Sequence, residues 1–206
     1  MPPEEVNRQL AHLHDVTLDM LNVRYLLTPY PFSDSTYRVV LTGRKSVVEN
    51  VDVLPRAFFV DSVVVARDQQ QLYRLFRSPD FDPRRVALLE ENPPFIPAKG
   101  VRGAATVEEF GPHRIVISAS VDGPACLVVS EVYYPAGWKA LVDGRETRIY
   151  KTNIVLRSIF VPEGQHRIEF VFDPWTFRVG LWTTIVTTVL LLGLCVYAVK
   201  RRGERF

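Results

Sequence analysis

The sequence predicts an α+β region followed by an antiparallel β-sandwich, Ig-like or jelly-roll-like, and one C-terminal transmembrane α-helix. Three observations predict it. Residues 179–199 form an apolar run without Asp, Glu, Lys, Arg or His. Upstream, from about residue 104, short β-type runs recur with turn residues between them. Before residue 93, helically spaced apolar residues alternate with β-type runs.

In chain order, residues 3–20 read as a polar helix, with Leu10, Leu13, Val16 and Met20 at helical spacing. Val23 to Leu27 is a short strand stopped by Thr28-Pro29-Tyr30-Pro31. Tyr37 to Thr42 and Ser46 to Val53 follow, joined by Gly43-Arg44-Lys45, and Phe58 to Ala66 is a further β-type run. Asp68 is placed to cap a short helix reaching Arg77, with Leu72, Leu75 and Phe76 inside. The stretch 93–103, holding Pro93, Pro94, Pro97, Gly100 and Gly103, reads as a linker between an α+β region, 1–92, and a sandwich, 104–174.

In the second part Ile115, Ile117, Ala119 and Val121 alternate with Val116, Ser118 and Ser120, a half-buried strand. Asp122-Gly123-Pro124 turns into a more continuously apolar strand, Cys126 to Tyr134. Trp138, Ala140 and Val142 alternate, and Asp143-Gly144 signals a two-residue hairpin whose turn positions both need positive φ. Arg145 to Tyr150, Ile154 to Val161 and Arg167 to Asp173 complete the strands, with Pro162-Glu163-Gly164 as a turn.

At 1.5 Å per residue, residues 179–199 make a helix of about 31 Å, the thickness of a bilayer's hydrocarbon core. Thr183, Thr184, Thr187 and Thr188 can bond back to backbone carbonyls, and Trp175, Trp182 and Tyr197 stand near the ends, where amphipathic rings prefer the headgroup layer. The tail 200–206 contains Lys200, Arg201, Arg202 and Arg205, which places it in the cytoplasm and everything before Val179 outside the cell. Of 25 Lys+Arg and 23 Asp+Glu, that tail holds four and one, leaving 21 and 22 before it, so the rest of the chain has no basic footprint for nucleic acid. The expected environment is a membrane. Met1-Pro2-Pro3-Glu4-Glu5 has no basic n-region and no apolar h-region. Export therefore implies that the chain is the C-terminal part of a longer protein whose upstream spans set the topology, or that a membrane partner exports it.

No constellation for catalysis, cofactor or metal stands out. His12, His14, His113 and His166 are scattered, and Cys126 and Cys195 fall in the soluble part and the membrane run. Glu90-Glu91 and Glu108-Glu109 are adjacent pairs that face opposite ways in a strand. No catalytic, cofactor or metal residue is assigned. One cluster could contact a ligand: Tyr133-Tyr134-Pro135-Ala136-Gly137-Trp138-Lys139. Tyr133, Tyr134 and Trp138 can stack on a sugar while Lys139 or Glu131 bonds its hydroxyls; equally, the rings can plug the sandwich core.

Around that cluster, Ser130-Glu131-Val132-Tyr133-Tyr134-Pro135-Ala136-Gly137-Trp138-Lys139-Ala140-Leu141-Val142-Asp143-Gly144 resembles the SE-x-YYPGW-x-A-x-VDG signature of the YfhO family of polytopic bacterial membrane proteins. Ile149 to Asn153, Leu156-Arg157, Val161 to His166 and Phe170 to Pro174 continue the likeness, and Leu21 to Leu27, Asn50 and Leu54 to Val60 resemble upstream pieces. Ala136 is an extra residue between Pro135 and Gly137. The resemblance implies a C-type glycosyltransferase-like parent that uses a polyprenyl-phosphate-sugar donor. In such a parent the catalytic carboxylate lies in an early extracytoplasmic loop between upstream membrane helices, so none is carried onto this chain. The implied task here is to hold the acceptor, a cell-envelope glycopolymer, or to cover the active site, beside the lipid bilayer and the parent's upstream helices. The alternative is a stand-alone, single-span interaction or structural module of the cell envelope.

Overall fold

The structure is a computed structural model in which residues 16–29 and 36–203 are described. The helix expected over 3–20 is seen as α1, Val16–Met20; its earlier part lies outside the described residues. Strands β1 (Tyr25–Thr28), β2 (Tyr37–Leu41) and β3 (Ser46–Asn50) form a small antiparallel sheet in the order β1-β3-β2.

Two larger sheets form the sandwich. One holds β7 (Gly103–Phe110), β8 (Arg114–Val121), β10 (Trp138–Val142), β11 (Arg145–Thr147) and β14 (Gly164–Phe172), in the order β11-β10-β14-β8-β7. The other holds β4 (Ala57–Val60), β5 (Ser62–Val65), β6 (Val86–Leu89), β9 (Ala125–Val132), β12 (Tyr150–Thr152) and β13 (Leu156–Val161), in the order β4-β9-β13-β12-β6-β5. Helix α2, Gln69–Phe76, precedes β6, and Asp68 caps it as expected, its carboxylate accepting from Gln71 N at 2.7 Å.

The run expected as one strand over 58–66 divides at Asp61. Its halves occupy opposite edges of the six-stranded sheet, β4 antiparallel to β9 and β5 parallel to β6. A single residue joins them, so the sheet curls until its edges meet. That curl encloses an apolar core containing Phe58, Val60, Leu89, Val128, Tyr150 and Phe160. A second core lies between the two large sheets. There Ile115, Ile117, Ile168 and Phe170 pack on Leu127, Val129, Ile159 and Val161. Strands β9 and β13 separate these cores, which is why they are buried on both faces over most of their length, whereas β8 leaves Ser118 and Ser120 exposed.

The Asp143-Gly144 turn has φ 52° and 78°, as expected for a two-residue hairpin. Helix α3, Trp175–Gly203, begins immediately after Pro174, earlier than the apolar run alone indicates. Its part Trp175–Tyr197 is long and apolar enough to cross a membrane, with mean hydropathy 2.1 over its most apolar stretch, and none of that stretch is buried by the described residues. Thr183, Thr184 and Thr188 donate to the carbonyls of Val179, Gly180 and Thr184 at 2.8–2.9 Å, so these hydroxyls are satisfied within the helix.

Candidate functional site: an aromatic cleft beside the membrane helix

The register of the five-stranded sheet decides where the cluster at 133–139 lies. Strand β14 ends at Phe172, directly before α3, and Phe172 pairs with Trp138, the first residue of β10. Arg114, at the start of β8, pairs with Val171, and Phe110, at the end of β7, with Ile115. The loops 111–113 and 133–137 therefore meet the end of the sandwich from which the membrane helix leaves. Phe172 N donates to His113 O at 2.9 Å and Asp173 N to Gly137 O at 2.7 Å, fastening both loops to that junction.

Gly137 is required there. Its φ is 123°, and a Cβ would stand 2.8 Å from Pro174 Cβ and 2.9 Å from Phe172 Cε2. The extra Ala136 is absorbed as the exposed middle of a tight turn, closed by Gly137 N donating to Pro135 O at 2.9 Å.

Tyr133, Tyr134, Trp138 and Lys139 border one cleft of about 260 Å³, together with Glu146 and Arg148. Tyr134 is 54% exposed. Tyr133 and Trp138 are half-buried, and Lys139 is exposed, 3.8 Å from Asp173. A second cleft, of about 310 Å³, opens on the other side of Tyr134 and Trp138 and is bounded by His113, Glu131, Val132 and Phe172. The rings form one cluster: Phe172 has Trp138 at 5.4 Å, His113 at 6.1 Å and Tyr134 at 6.4 Å between centroids. Glu131 accepts from Arg56 Nη1 at 2.5 Å, so it enters the cleft already ion-paired.

Both clefts share a floor residue that the sequence pattern passes over. Along β13 the side chains facing the inter-sheet core are Arg157, Ile159 and Val161, so an arginine takes the outermost of three core positions. Arg157 is 1% exposed, and its guanidinium lies 4.4 Å from the Trp138 ring centroid and 4.8 Å from that of Phe170. Among the described residues its nearest carboxylate is Glu131, 3.9 Å away, and its Nε and Nη1 have no hydrogen-bond partner. Burial pushes its pKa down to about 10, with Glu131 opposing that shift, so the group is still cationic at neutral pH. The signal available in the sequence was a single charge on an otherwise apolar strand face.

The other acids and bases named from sequence are held by ordinary partners. Glu90 lies 2.6 Å from Lys151, Glu91 pairs with Arg148, Glu108 with Arg167 and Glu109 with Arg114. Asp143 accepts from Arg167 N at 2.9 Å and meets His166 Nδ1 at 2.6 Å, and these partners hold its carboxyl below the usual range. The cleft presents ring faces suited to stacking, and cations and hydroxyls suited to polar groups.

Residues 111–184 match the family described as bacterial membrane protein YfhO, a range that includes both clefts, Arg157 and the start of α3. The upstream likenesses at 21–27 and 54–60 fall outside that range. No curated protein and no solved structure matches the chain.

Proposed function

We propose that this chain, whose residues 111–184 match the family described as bacterial membrane protein YfhO, is a membrane-anchored extracytoplasmic domain that holds a cell-envelope glycopolymer at the bilayer surface. In this reading it assists a polyprenyl-phosphate-sugar-dependent glycosylation whose chemistry resides elsewhere in a parent protein or partner. The observation that carries it is the convergence of Tyr133, Tyr134, Trp138 and Lys139 on one cleft beside Pro174 and the membrane helix. A polymer chain seated there lies within reach of a membrane-embedded active site. The basic residues Lys200, Arg201 and Arg202 after the span support an outward-facing sandwich.

The test is saturable binding of purified bacterial cell-envelope glycopolymer by the full chain in maltoside micelles. Tyr134→Ala combined with Lys139→Ala should weaken binding at least tenfold while the β-sheet circular dichroism is kept, taking the loss of one stacking ring by analogy with base stacking as on the order of 1–3 kcal/mol. Undiminished binding by that variant would remove the cleft from the account.

A second reading, an interaction module that packs on upstream helices or a partner, is favoured by the small sheet. It exposes Tyr25, Leu27, Val40 and Leu41 together. It predicts no glycopolymer binding and loss of a co-purifying membrane partner on Leu27→Ser with Leu41→Ser.

A further inference from the structure

We propose that Arg157 is the floor of a phosphate-binding site that opens through the cleft between His113, Glu131 and Trp138, on the membrane side of the sandwich. The inference is separate from glycan holding and stands or falls without it.

A guanidinium buried to 1% exposure with two unbonded nitrogens is an expensive arrangement. The rings of Trp138 and Phe170 offset part of that cost through their quadrupoles, but they accept no conventional hydrogen bond. Local charge leaves the same surplus. Arg56 and Arg157 converge on one carboxylate, Glu131, which lies within hydrogen-bonding distance of Arg56 and 3.9 Å from Arg157. One positive charge is left over at the base of the cleft. Its burial lowers the arginine's proton affinity only to about 10, so the charge persists at neutral pH. An entering oxyanion would supply acceptors and the missing negative charge together.

Placement selects phosphate among oxyanions. The cleft is lined by Phe172 and lies against the junction that leads through Pro174 into the apolar helix, so with that helix in a bilayer it opens near the layer of lipid phosphates. Tyr134 and Val132, both exposed at its rim, present apolar surface toward the same layer. The site's phosphate can therefore come from an anionic lipid headgroup or from a soluble phosphate compound.

The experiment is thermal unfolding of the full chain in uncharged maltoside micelles, with inorganic phosphate titrated against chloride at constant ionic strength. The expected result is a saturable rise in Tm of roughly 5 °C at about a hundred times the Kd. Arg157→Met should abolish the rise while the fold is kept, because it removes a buried charge whose contact to Glu131 is a long 3.9 Å, and Glu131 keeps Arg56 as its partner. Glu131→Gln, which removes the competing carboxylate, should tighten phosphate binding several-fold, and this remains informative if the methionine variant does not fold. Repeating the titration in nanodiscs separates the sources. A rise lost when phosphatidylglycerol is added to phosphatidylcholine assigns the site to the lipid headgroup, and a rise unchanged by it assigns a soluble phosphate. No phosphate-dependent rise in the wild-type chain, or an equal rise in Arg157→Met, would overturn the proposal.

Discussion

Arg157 and Trp138 face each other across the mouth of the sandwich, guanidinium over ring at 4.4 Å, although they belong to different sheets. Each explains the other's position. The ring covers a charge that the apolar core cannot solvate, and the charge fixes a ring that would otherwise be free at the sheet's end. Trp138 thus braces Arg157 while bordering both clefts, and Tyr134, at 54% exposure, leaves its ring open to solvent.

Truncations at these rings should separate accordingly. Trp138→Ala is expected to lower stability by about 2–4 kcal/mol, since it uncovers Arg157 as well as removing a large ring. Trp138→Phe should cost about 1 kcal/mol. Tyr134→Ala should stay within about 0.5 kcal/mol of wild type. Denaturant unfolding in micelles, followed by circular dichroism, measures all three.

Asn153 ties β6 to the loop after β12. Leu88 N donates to Asn153 Oδ1 at 2.8 Å and Asn153 N donates to Leu88 O at 2.9 Å, at φ 48° in a fully buried setting. Asn153→Ala should cost about 2–4 kcal/mol by orphaning the Leu88 N–H and straining the backbone. Asn153→Gly keeps the backbone easy and loses only the side-chain bond, so it should cost about 1 kcal/mol less. Equal losses would show that strain is not part of the effect.

Asp143 contributes a pH dependence of known sign. Its pKa is lowered in the folded state, first by His166 and then by Arg167 N–H, while the unfolded chain has the ordinary carboxylate value. The carboxylate's stabilisation is therefore present above the ordinary range and is lost as pH falls through the lower folded value. Asp143→Asn keeps the left-handed turn but not the charge, so its stability should converge on that of wild type as pH falls below the ordinary carboxylate range. Asp143→Ala should be worse than Asn at every pH, because it also strains φ 52°.

Cys126 should behave as a reporter of global opening. It is fully buried, and desolvation pushes its thiol up to about 12, which suppresses the reactive thiolate. With Cys195 replaced by Ser, iodoacetamide at pH 8 should label the chain only in denaturant, with a midpoint that coincides with loss of circular dichroism. Labelling of the native chain would contradict the enclosed core around β9.

Much of this architecture was legible in period and punctuation. Ile115, Ile117, Ala119 and Val121 face the inter-sheet core as their alternation indicates, and Asp68, Asp143-Gly144 and the membrane-helix threonines act locally as their chemistry requires. What escaped was non-local. Val86–Leu89 is too short to stand out, and it is a strand because β5 and Asn153 pair with it from distant parts of the chain. Gly103–Phe110, rich in Ala and Glu, becomes an edge strand through its pairing with β8. The split at Asp61 follows from closure of a curled sheet, which no local pattern encodes. Of the site, the four residues at 133–139 were visible as an aromatic cluster. Arg157 was visible only as a letter in a family motif, because its role depends on two rings brought from β10 and β14.

The account turns on which side of the membrane the cleft faces. The direct measurement is labelling of intact cells with a membrane-impermeant maleimide, using the protein expressed at its native locus with Cys195→Ser and either Tyr134→Cys or Gly203→Cys. Buried Cys126 supplies the silent background. The cysteine at position 134 should react in intact cells and the one at 203 only after permeabilisation. The opposite pattern, with 203 labelled outside and 134 protected until lysis, would place the cleft in the cytoplasm and contradict an envelope-facing role.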